Sequence, residues 1–356
     1  MYTSPKDIAG RIHELYFPAS HKTSWSFDDF IGRRPVRYFS FGRWALYEAL
    51  QVVGITKNDK VLIPAFICRD ILSAINTIGA IPVYYHVDKN MQLTDAPDSL
   101  IPAKAILVVN YFGFPQRLAP FRHYCRRTGA VVIEDNAHGF LSRDEEGQAL
   151  GTRGDMGIFS LRKTLMLPNG AAMVVNVPDK GYAIRPQIEP EKKGGPISFA
   201  AKRFLKNTPQ LVNLRTIRFL TSVIRTVRKM ATGHRIAPSP PDAESRLPEG
   251  AAPCQELQYS LDHLDAQQEI ARRRELYLLL DSIIRKSGYE PVFPSLPDNV
   301  VPYAYPFYSS EDRIGAARQI LTNINLECFS WPELPDAVKQ NAPERYRSVW
   351  MVGFLW

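Results

Sequence analysis

Residues 131–170 of the chain, VVIEDNAHGFLSRDEEGQALGTRGDMGIFSLRKTLMLPNG, decide its fold. The run GAVVI at 129–133 is short, apolar and β-branched, which predicts a strand buried on both faces. Glu134 and Asp135 stand at the carboxyl end of this strand, where open α/β sheets bind their ligands. We therefore expect the Asp135 side chain to face a crevice.

A second short apolar strand is predicted at 154–160, GDMGIFS, and Lys163 follows it closely. Desolvation at a strand end can remove the proton of a lysine, and the neutral amine can then form a Schiff base with an aldehyde. Ser160 can donate to a phosphate. A carboxylate such as Asp135 can hold a protonated pyridine nitrogen, and His138 can stack on the ring or hydrogen-bond its hydroxyl. The combination indicates a protein that holds pyridoxal phosphate.

Taken singly, each of these residues has a simpler interpretation. Asp135 can cap the following helix, and His138 can be a structural histidine. Lys163 can be an ordinary surface lysine, because the chain carries 44 Lys and Arg residues. The cofactor site is favoured only by the three residues together.

The segments that carry these residues resemble a known family. EDNAHG at 134–139, GTRGDMGIFS at 151–160 with Lys163 after it, and the upstream G-x-x-A-L segment at Gly42 are similar to the DegT/DnrJ/StrS family of pyridoxal-phosphate sugar aminotransferases. The resemblance runs from about residue 41 to 175. It implies an α/β protein of the PLP-dependent transferase fold type I, with a mainly parallel sheet, flanking helices and a smaller C-terminal α/β domain.

The resemblance also implies roles for individual residues. Lys163 is implied as the catalytic lysine that holds the cofactor, although it lies three residues after Ser160 where the family usually has five. Asp135 is implied as the partner of the pyridine nitrogen. His138 stands where the family commonly has glutamine.

The phosphate and the ring face have implied partners too. The family binds the cofactor phosphate at the helix that begins here at Gly42 and Arg43, together with Ser160. Cys68 takes the place of an aromatic residue that stacks on the pyridine ring, and Phe66 lies two positions earlier. Asn110 ends its strand as Asp135 does, which suggests a further cofactor contact.

The implied function is an aminotransferase. It would pass an amino group, from a donor such as glutamate, to a keto sugar carried on a nucleotide, in polysaccharide, lipopolysaccharide or secondary-metabolite sugar biosynthesis. A homodimer is implied as well. Two alternatives stay open: a pyridoxal-phosphate-dependent sugar dehydratase, whose family members replace the lysine by histidine, and a catalytically silent paralogue that serves as a membrane-peripheral or assembly subunit.

Outward from this stretch, strands and helices alternate. Strands are predicted at 60–64, 81–87 and 105–110. Helices are predicted at 44–50, from the loop at 65–69 through Ile78, and at 117–127. This alternation indicates βαβ units and a parallel sheet. We predict four segments: an N-terminal segment 1–40, a cofactor-binding core 41–190, a basic insert with a proline-rich linker 191–250, and a connecting helix with the small domain 251–356.

The composition limits the class of protein. The chain has 356 residues, 45% of them hydrophobic, and can bury a sizeable core. No stretch approaches the roughly 20 consecutive apolar residues of a membrane span, and the N-terminus lacks the apolar region of a signal peptide. The four cysteines, which have no metal-like spacing, favour a reducing cytoplasm and predict no metal site: Cys68, Cys125, Cys254 and Cys328.

The positive charge is concentrated in residues 192–241. This segment holds eleven Lys and Arg residues and no acidic residue, more than the net charge of +8 of the whole chain. As a helix it would be amphipathic. Three interpretations remain: packing on its own domain or a partner subunit, a peripheral membrane contact through residues 197–233 at the inner face of the membrane, or a rim that attracts an anionic substrate. No nucleic-acid-binding motif is present.

The C-terminal part is predicted as one long helix over 255–285, a strand over 301–308 and a helix over 312–323. Residues 329–335, FSWPELP, resemble a WPxLP-like loop of the same family. The chain ends on the apolar residues MVGFLW at 351–356, for which we expect an exposed tail and a truncated or diverged C-terminus.

Overall fold

The structure, a computed structural model, describes residues 5–18, 25–191 and 239–354, together with Val223 and Met230. Helices α1 (Pro5–Tyr16) and α2 (Phe27–Ile31) precede a large sheet. Its strands are β1 (Val36–Phe39), β2 (Lys60–Pro64), β3 (Ile81–Tyr85), β4 (Ala105–Val109), β5 (Val131–Asp135), β6 (Met156–Phe159) and β7 (Ala171–Val175). The helices between them are α3 (Gly42–Val52), α4 (Leu72–Ile78) and α5 (Leu118–Thr128).

The large sheet has the order β1-β7-β6-β5-β4-β2-β3. Strands β3, β2, β4, β5 and β6 are parallel to their neighbours in that succession, whereas β7 is antiparallel to both β6 and β1. The predicted α/β fold with a mainly parallel sheet is therefore confirmed. Asp135 pairs with Val109 on β4 and with Ile158 on β6, so three carboxyl ends lie side by side.

Strands β4 and β7 are buried along their whole length, as expected for strands with both faces covered. Strand β6 has an additional requirement, because a loop passes directly over it. A Cβ on Gly157 would lie 1.8 Å from the carbonyl oxygen of Gly151. Only glycine fits at this point, and the close approach holds the segment 151–155 against the strand.

The C-terminal part forms a second, antiparallel sheet with the order β10-β11-β9-β8. The elements after residue 255 are α6 (Glu256–Asp262), α7 (Ala266–Lys286), β8 (Glu290–Pro291), β9 (Ala304–Tyr308), α8 (Ile314–Asn323), β10 (Phe329–Ser330), α9 (Asp336–Lys339), α10 (Glu344–Arg347) and β11 (Val349–Gly353). The two sheets share one continuous hydrophobic core. In it, the rings of Phe114 and Phe293 stack with centroids 3.7 Å apart.

The prediction of one long helix over 255–285 is wrong. The chain leaves the helical conformation between α6 and α7, and Asp265 becomes the N-cap of α7. Its side chain accepts a hydrogen bond from the backbone N–H of Gln268 at 2.9 Å. This cap satisfies a free amide at the start of the new helix and fixes the break.

The expectation of an exposed apolar tail is also wrong. Val349–Gly353 is strand β11, which pairs with both β9 and β10. Phe354, which follows it, is 1% exposed. The apolar character of the segment is therefore explained by its place inside the small sheet.

Among the described residues, no helix is long and apolar enough to cross a membrane. The basic segment predicted at 197–233 lies outside the described ranges, apart from Val223 and Met230.

Candidate active site

Asp135 is a buried carboxylate at the carboxyl end of β5. Its side chain accepts a hydrogen bond from the backbone N–H of Ala137 at 2.9 Å, and the residue is 6% exposed. Within the described ranges, no Lys or Arg nitrogen lies close enough to form an ion pair with it. Burial raises the pKa of Asp135 above its usual range, while the Ala137 hydrogen bond and the charge of Lys163 act in the opposite direction. Such a carboxylate favours a cationic ligand.

A buried polar network fixes the strand behind Asp135. Glu134 forms an ion pair with Arg153, and both side chains are almost fully buried. Two guanidinium nitrogens of Arg153 donate to Oε1 of Glu134, and the Arg153 backbone N–H donates to Oε2 at 3.0 Å. The Asn110 amide donates to Glu134 at 2.8 Å, and its oxygen accepts from Arg153 at 2.9 Å. Asn110 therefore faces this network, in contrast to its suggested contact with the cofactor.

Lys163 is placed by a short turn after β6. Residues Leu161–Lys163 form a 3₁₀ turn, in which the Lys163 N–H donates to the Ser160 carbonyl at 3.0 Å. The turn directs the side chain back over the sheet edge, and the Lys163 Nζ atom lies 3.0 Å from Nε2 of His138. The three-residue spacing from Ser160 is thus long enough to bring the amine to the strand ends.

His138 has one ring nitrogen toward the backbone and one toward Lys163. Its Nδ1 accepts a hydrogen bond from the Phe112 N–H at 3.3 Å, which leaves Nε2 as the nitrogen facing the amine. The ring stacks on Tyr303, with centroids 4.3 Å apart and planes within 7°. Burial lowers the pKa of His138 well below 6.5, and the charge of Lys163 acts in the same direction. The imidazole is therefore neutral at physiological pH.

Cys68 also faces this cluster. Burial raises the pKa of its thiol to about 11, against the lowering effect of Lys163. Phe66, by contrast, is fully buried and packs in the core against Tyr111 and Trp331. The loop after β2 therefore brings a protonated thiol to the site, and its aromatic residue lies elsewhere.

Two aromatic residues of the C-terminal part complete the cluster, and the sequence had not assigned them to it. Tyr303 stacks on His138, and the Trp331 ring lies 5.1 Å from the same imidazole. Trp331 belongs to the FSWPELP segment, which was noted in the sequence without a role. No local signal pointed to Tyr303.

Gly42, Arg43 and Ser160 meet at the start of α3. The N-cap residue Phe41 offers no side-chain acceptor, so the first amides of this 11-residue helix remain available as donors. The Ser160 Cβ lies 3.9 Å from the point where a side chain on Gly42 would begin. Helix N-termini with free amides attract anions, and a phosphate fits there.

The arrangement fits pyridoxal phosphate. Asp135 can accept from a protonated ring nitrogen, Lys163 offers an amine to the aldehyde, and His138 can contact the ring. The start of α3 with Ser160 can hold the phosphate. All seven residues proposed from the sequence therefore lie in two adjoining groups: Asp135, His138, Lys163 and Cys68 in one, Gly42, Arg43 and Ser160 in the other.

Comparison with known proteins also supports a pyridoxal-phosphate site. The sequence profile of the DegT/DnrJ/EryC1/StrS aminotransferase family matches residues 19–185, which include every one of these seven positions. Residues 19–185, just under half of the chain, are similar to the DegT/DnrJ/EryC1/StrS aminotransferase family. The resemblance found in the sequence is thereby confirmed.

One relative and two solved structures are similar to this chain in sequence or in fold. The dTDP-4-dehydro-2,3,6-trideoxy-D-glucose 4-aminotransferase of Saccharopolyspora spinosa is 31% identical over 156 residues, which are 42% of this chain and 40% of that protein. The aminotransferase TlmJ of Streptoalloteichus hindustanus has a similar fold, with a TM-score of 0.60 and 18% identity over 99% of this chain and 91% of that one. The GDP-4-keto-6-deoxy-D-mannose-3-dehydratase of E. coli, with bound hydrated PLP, gives a TM-score of 0.57 and 13% identity over 97% and 87%.

These comparisons differ in what they cover. The sequence match reaches about two fifths of the curated relative, whereas the structural matches span nearly the whole chain at identities below 20%. The structural matches show that the whole chain, including the small C-terminal sheet, has the fold of these two enzymes.

Proposed function

We propose that this protein is a pyridoxal-phosphate-dependent aminotransferase that passes an amino group from a donor such as glutamate to a keto sugar, carried on a nucleotide. The observation that carries the proposal is the position of the Lys163 amine, 3.0 Å from His138, at the sheet edge where Asp135 ends its strand. The match of residues 19–185 to the sequence profile of the aminotransferase family supports it.

The bound cofactor would supply an electron sink for the electrons released at the carbon that bears the amino group. The residues of the chain supply the rest. Lys163 would hold the cofactor, and its free amine would move a proton between the donor Cα and the C4′ position of the cofactor. Asp135 keeps the pyridine nitrogen protonated. His138, being neutral, presents Nε2 as an uncharged hydrogen-bonding group.

The substrate class rests on relatives. The Saccharopolyspora relative is named for a dTDP-linked dehydro sugar, which supports a nucleotide-linked keto sugar as the acceptor. The phosphates of such a substrate are anionic, and the basic segment at 192–241 would favour their approach. Biosynthesis of amino sugars for polysaccharide, lipopolysaccharide or secondary metabolites follows as the proposed context.

The test is a two-stage assay with purified protein and pyridoxal phosphate. Glutamate alone should shift the absorbance of the bound cofactor and release 2-oxoglutarate, and a dTDP-linked 4-keto sugar should restore the first spectrum and gain an amine by mass spectrometry. Lys163→Ala should abolish both stages. If no amino donor changes the absorbance of the cofactor bound to the wild type, the proposal of an aminotransferase is wrong.

A sugar dehydratase is the second candidate, because one of the solved structures with this fold is a dehydratase. The family resemblance assigns histidine to the dehydratases at the position of the lysine, so Lys163 favours the aminotransferase. The product distinguishes the two: a dehydratase would release water and leave the sugar without an added amine. A catalytically silent paralogue would bind the cofactor without responding to donor or acceptor.

The oligomeric state and the basic segment belong to the same proposal. A homodimer, implied by the family resemblance, is tested by the mass of the protein in solution. A membrane contact through residues 197–233 is tested by co-sedimentation with anionic liposomes, with and without those residues. Equal pelleting of the two proteins would exclude the membrane contact and leave packing on the protein itself or a rim that attracts the substrate.

A further inference from the structure

Arg162 is a partly buried arginine whose guanidinium has one buried donor without a partner among the described residues. Its backbone is fixed, since the N–H donates to the Gly170 carbonyl at 3.0 Å. Its side-chain Nε atom is buried and has no hydrogen-bond partner in the described part of the chain. A buried guanidinium donor without an acceptor is costly, and such positions call for an anionic or polar ligand.

The surroundings of Arg162 carry an excess of positive charge. The guanidinium groups of Arg162 and Arg43 lie 5.2 Å and 5.7 Å from the ring of Phe41, the N-cap residue of α3. Asp70 approaches Arg43 at 3.6 Å, and it is the acidic neighbour of this pair. Two arginines and the positive end of an 11-residue helix thus face one carboxylate.

Ser160 adds a second group that waits for a ligand. The residue is 4% exposed, and its hydroxyl makes no capping hydrogen bond to the 3₁₀ turn that follows it. Its Cβ lies 3.9 Å from the position of a side chain on Gly42, so the hydroxyl and the first amides of α3 border the same space. Donors of three kinds therefore lie near the start of α3: the helix amides, the Ser160 hydroxyl, and the Arg162 guanidinium, which packs over the ring of the N-cap residue Phe41.

From this convergence we infer that Arg162 binds the phosphate of the cofactor, together with Ser160 and the N-terminus of α3. The inference rests on the proposed cofactor and adds a residue to its site. Arg162 immediately precedes Lys163, so one 3₁₀ turn presents the phosphate ligand and the amine together. All of these groups come from a single chain.

The experiment compares pyridoxal phosphate with pyridoxal, which has the aldehyde and ring but no phosphate. Each is titrated into wild type, Arg162→Gln and Arg162→Lys in a buffer free of phosphate, and the fraction bound is measured by borohydride trapping and mass spectrometry. Arg126→Gln, at an exposed position of α5, is the matched control. The affinity of Arg162→Gln for pyridoxal phosphate should fall about ten- to a hundredfold, the effect of a charged hydrogen bond.

The pyridoxal series separates phosphate binding from a structural effect. Arg162→Gln should bind pyridoxal as the wild type does, and Arg162→Lys should recover part of the affinity for pyridoxal phosphate. Equal losses for both compounds would mean that Arg162 only positions Lys163, and no loss for either would mean that it contacts no ligand; both results overturn the inference.

A second arm keeps the test independent of the proposed reaction. Inorganic phosphate should raise the melting temperature of the wild type and of Arg126→Gln, and should leave that of Arg162→Gln unchanged. This result in a protein that traps neither pyridoxal compound would preserve the anion site while refuting the cofactor. Absence of any phosphate effect in the wild type, with no difference between the pyridoxal compounds, would overturn the inference itself.

Discussion

The buried side chain of Asp135 lowers the stability of the protein without cofactor. The carboxylate is buried without a cationic partner among the described residues, and its pKa is raised. The pKa is raised in the folded protein and not in the unfolded chain. At neutral pH, ionisation of this carboxylate therefore lowers the free energy of unfolding. A cofactor with a protonated ring nitrogen would remove this cost when it binds.

Replacement of Asp135 by asparagine should therefore separate stability from function. Asn can still accept the Ala137 N–H but carries no charge, so the protein without cofactor should gain about 1 kcal/mol in free energy of unfolding at pH 7.5. Transamination should fall roughly a hundredfold or more. Urea unfolding and the donor assay measure the two effects, with Asp179→Asn on the surface as control. A less stable Asp135→Asn variant would contradict this account of the carboxylate.

His138 predicts a pH dependence of stability. Its folded pKa lies well below the value of 6.5 expected in the unfolded chain. As pH falls below 6.5, the unfolded chain binds a proton that the folded protein does not, and the free energy of unfolding decreases by up to about 1.4 kcal/mol per pH unit. In His138→Gln, this part of the decrease in the free energy of unfolding below pH 6.5 should be absent.

The measurement is urea unfolding of the protein without cofactor at pH 7.5 and pH 5.5. The wild type and the exposed control His123→Gln should lose more stability between the two values than His138→Gln does. Equal losses in all three proteins would show that the imidazole is protonated in the folded state.

At the level of the elements, strand β5 depends on the ion pair between Glu134 and Arg153. Arg153→Met would leave a fully buried carboxylate without its partner, which costs about 3–5 kcal/mol. The double variant Arg153→Met, Glu134→Leu should regain at least about half of that loss, because it removes the uncompensated charge. Chemical denaturation of the three proteins gives the comparison. A double variant as unstable as Arg153→Met would place the loss in the hydrogen bonds to Asn110.

The same elements show what the sequence can predict. Strand β2 was predicted at 60–64, where the structure has it, because an apolar run between turns leaves little freedom. Asp135 and Lys163 could be found because each follows its strand directly along the chain. Tyr303 could not, since it meets His138 only through the packing of segments 165 positions apart. The prediction of one helix over 255–285 failed because it followed the spacing of apolar residues. The Asp265 cap, which starts α7, is a polar contact that this spacing does not show.

For the whole molecule, the site joins both sheets. Asp135 and Lys163 come from the edge of the large sheet, and Tyr303 and Trp331 come from the C-terminal part. Arg69, in the loop after β2, adds a further link through ion pairs with Glu244 at 3.2 Å and Asp336 at 2.6 Å. One continuous core beneath these contacts indicates that the two parts unfold together.

We therefore expect one unfolding transition, with superimposable curves from far-ultraviolet circular dichroism and tryptophan fluorescence. Pyridoxal phosphate at a hundredfold excess over its Kd should stabilise the protein by about 2.7 kcal/mol without splitting the transition. Two separated transitions, of which only one responds to the cofactor, would show that the C-terminal part folds independently of the site.

The central claim is that Lys163 holds the cofactor, and borohydride reduction followed by peptide mass spectrometry tests it most directly. Wild-type protein with pyridoxal phosphate, and the exposed control Lys57→Ala, should each carry one reduced pyridoxyl group on the peptide that contains Lys163. Lys163→Ala should carry none in this peptide and lose the absorbance band of the bound cofactor. A pyridoxyl group on another lysine, or its absence from the wild type, would contradict the account.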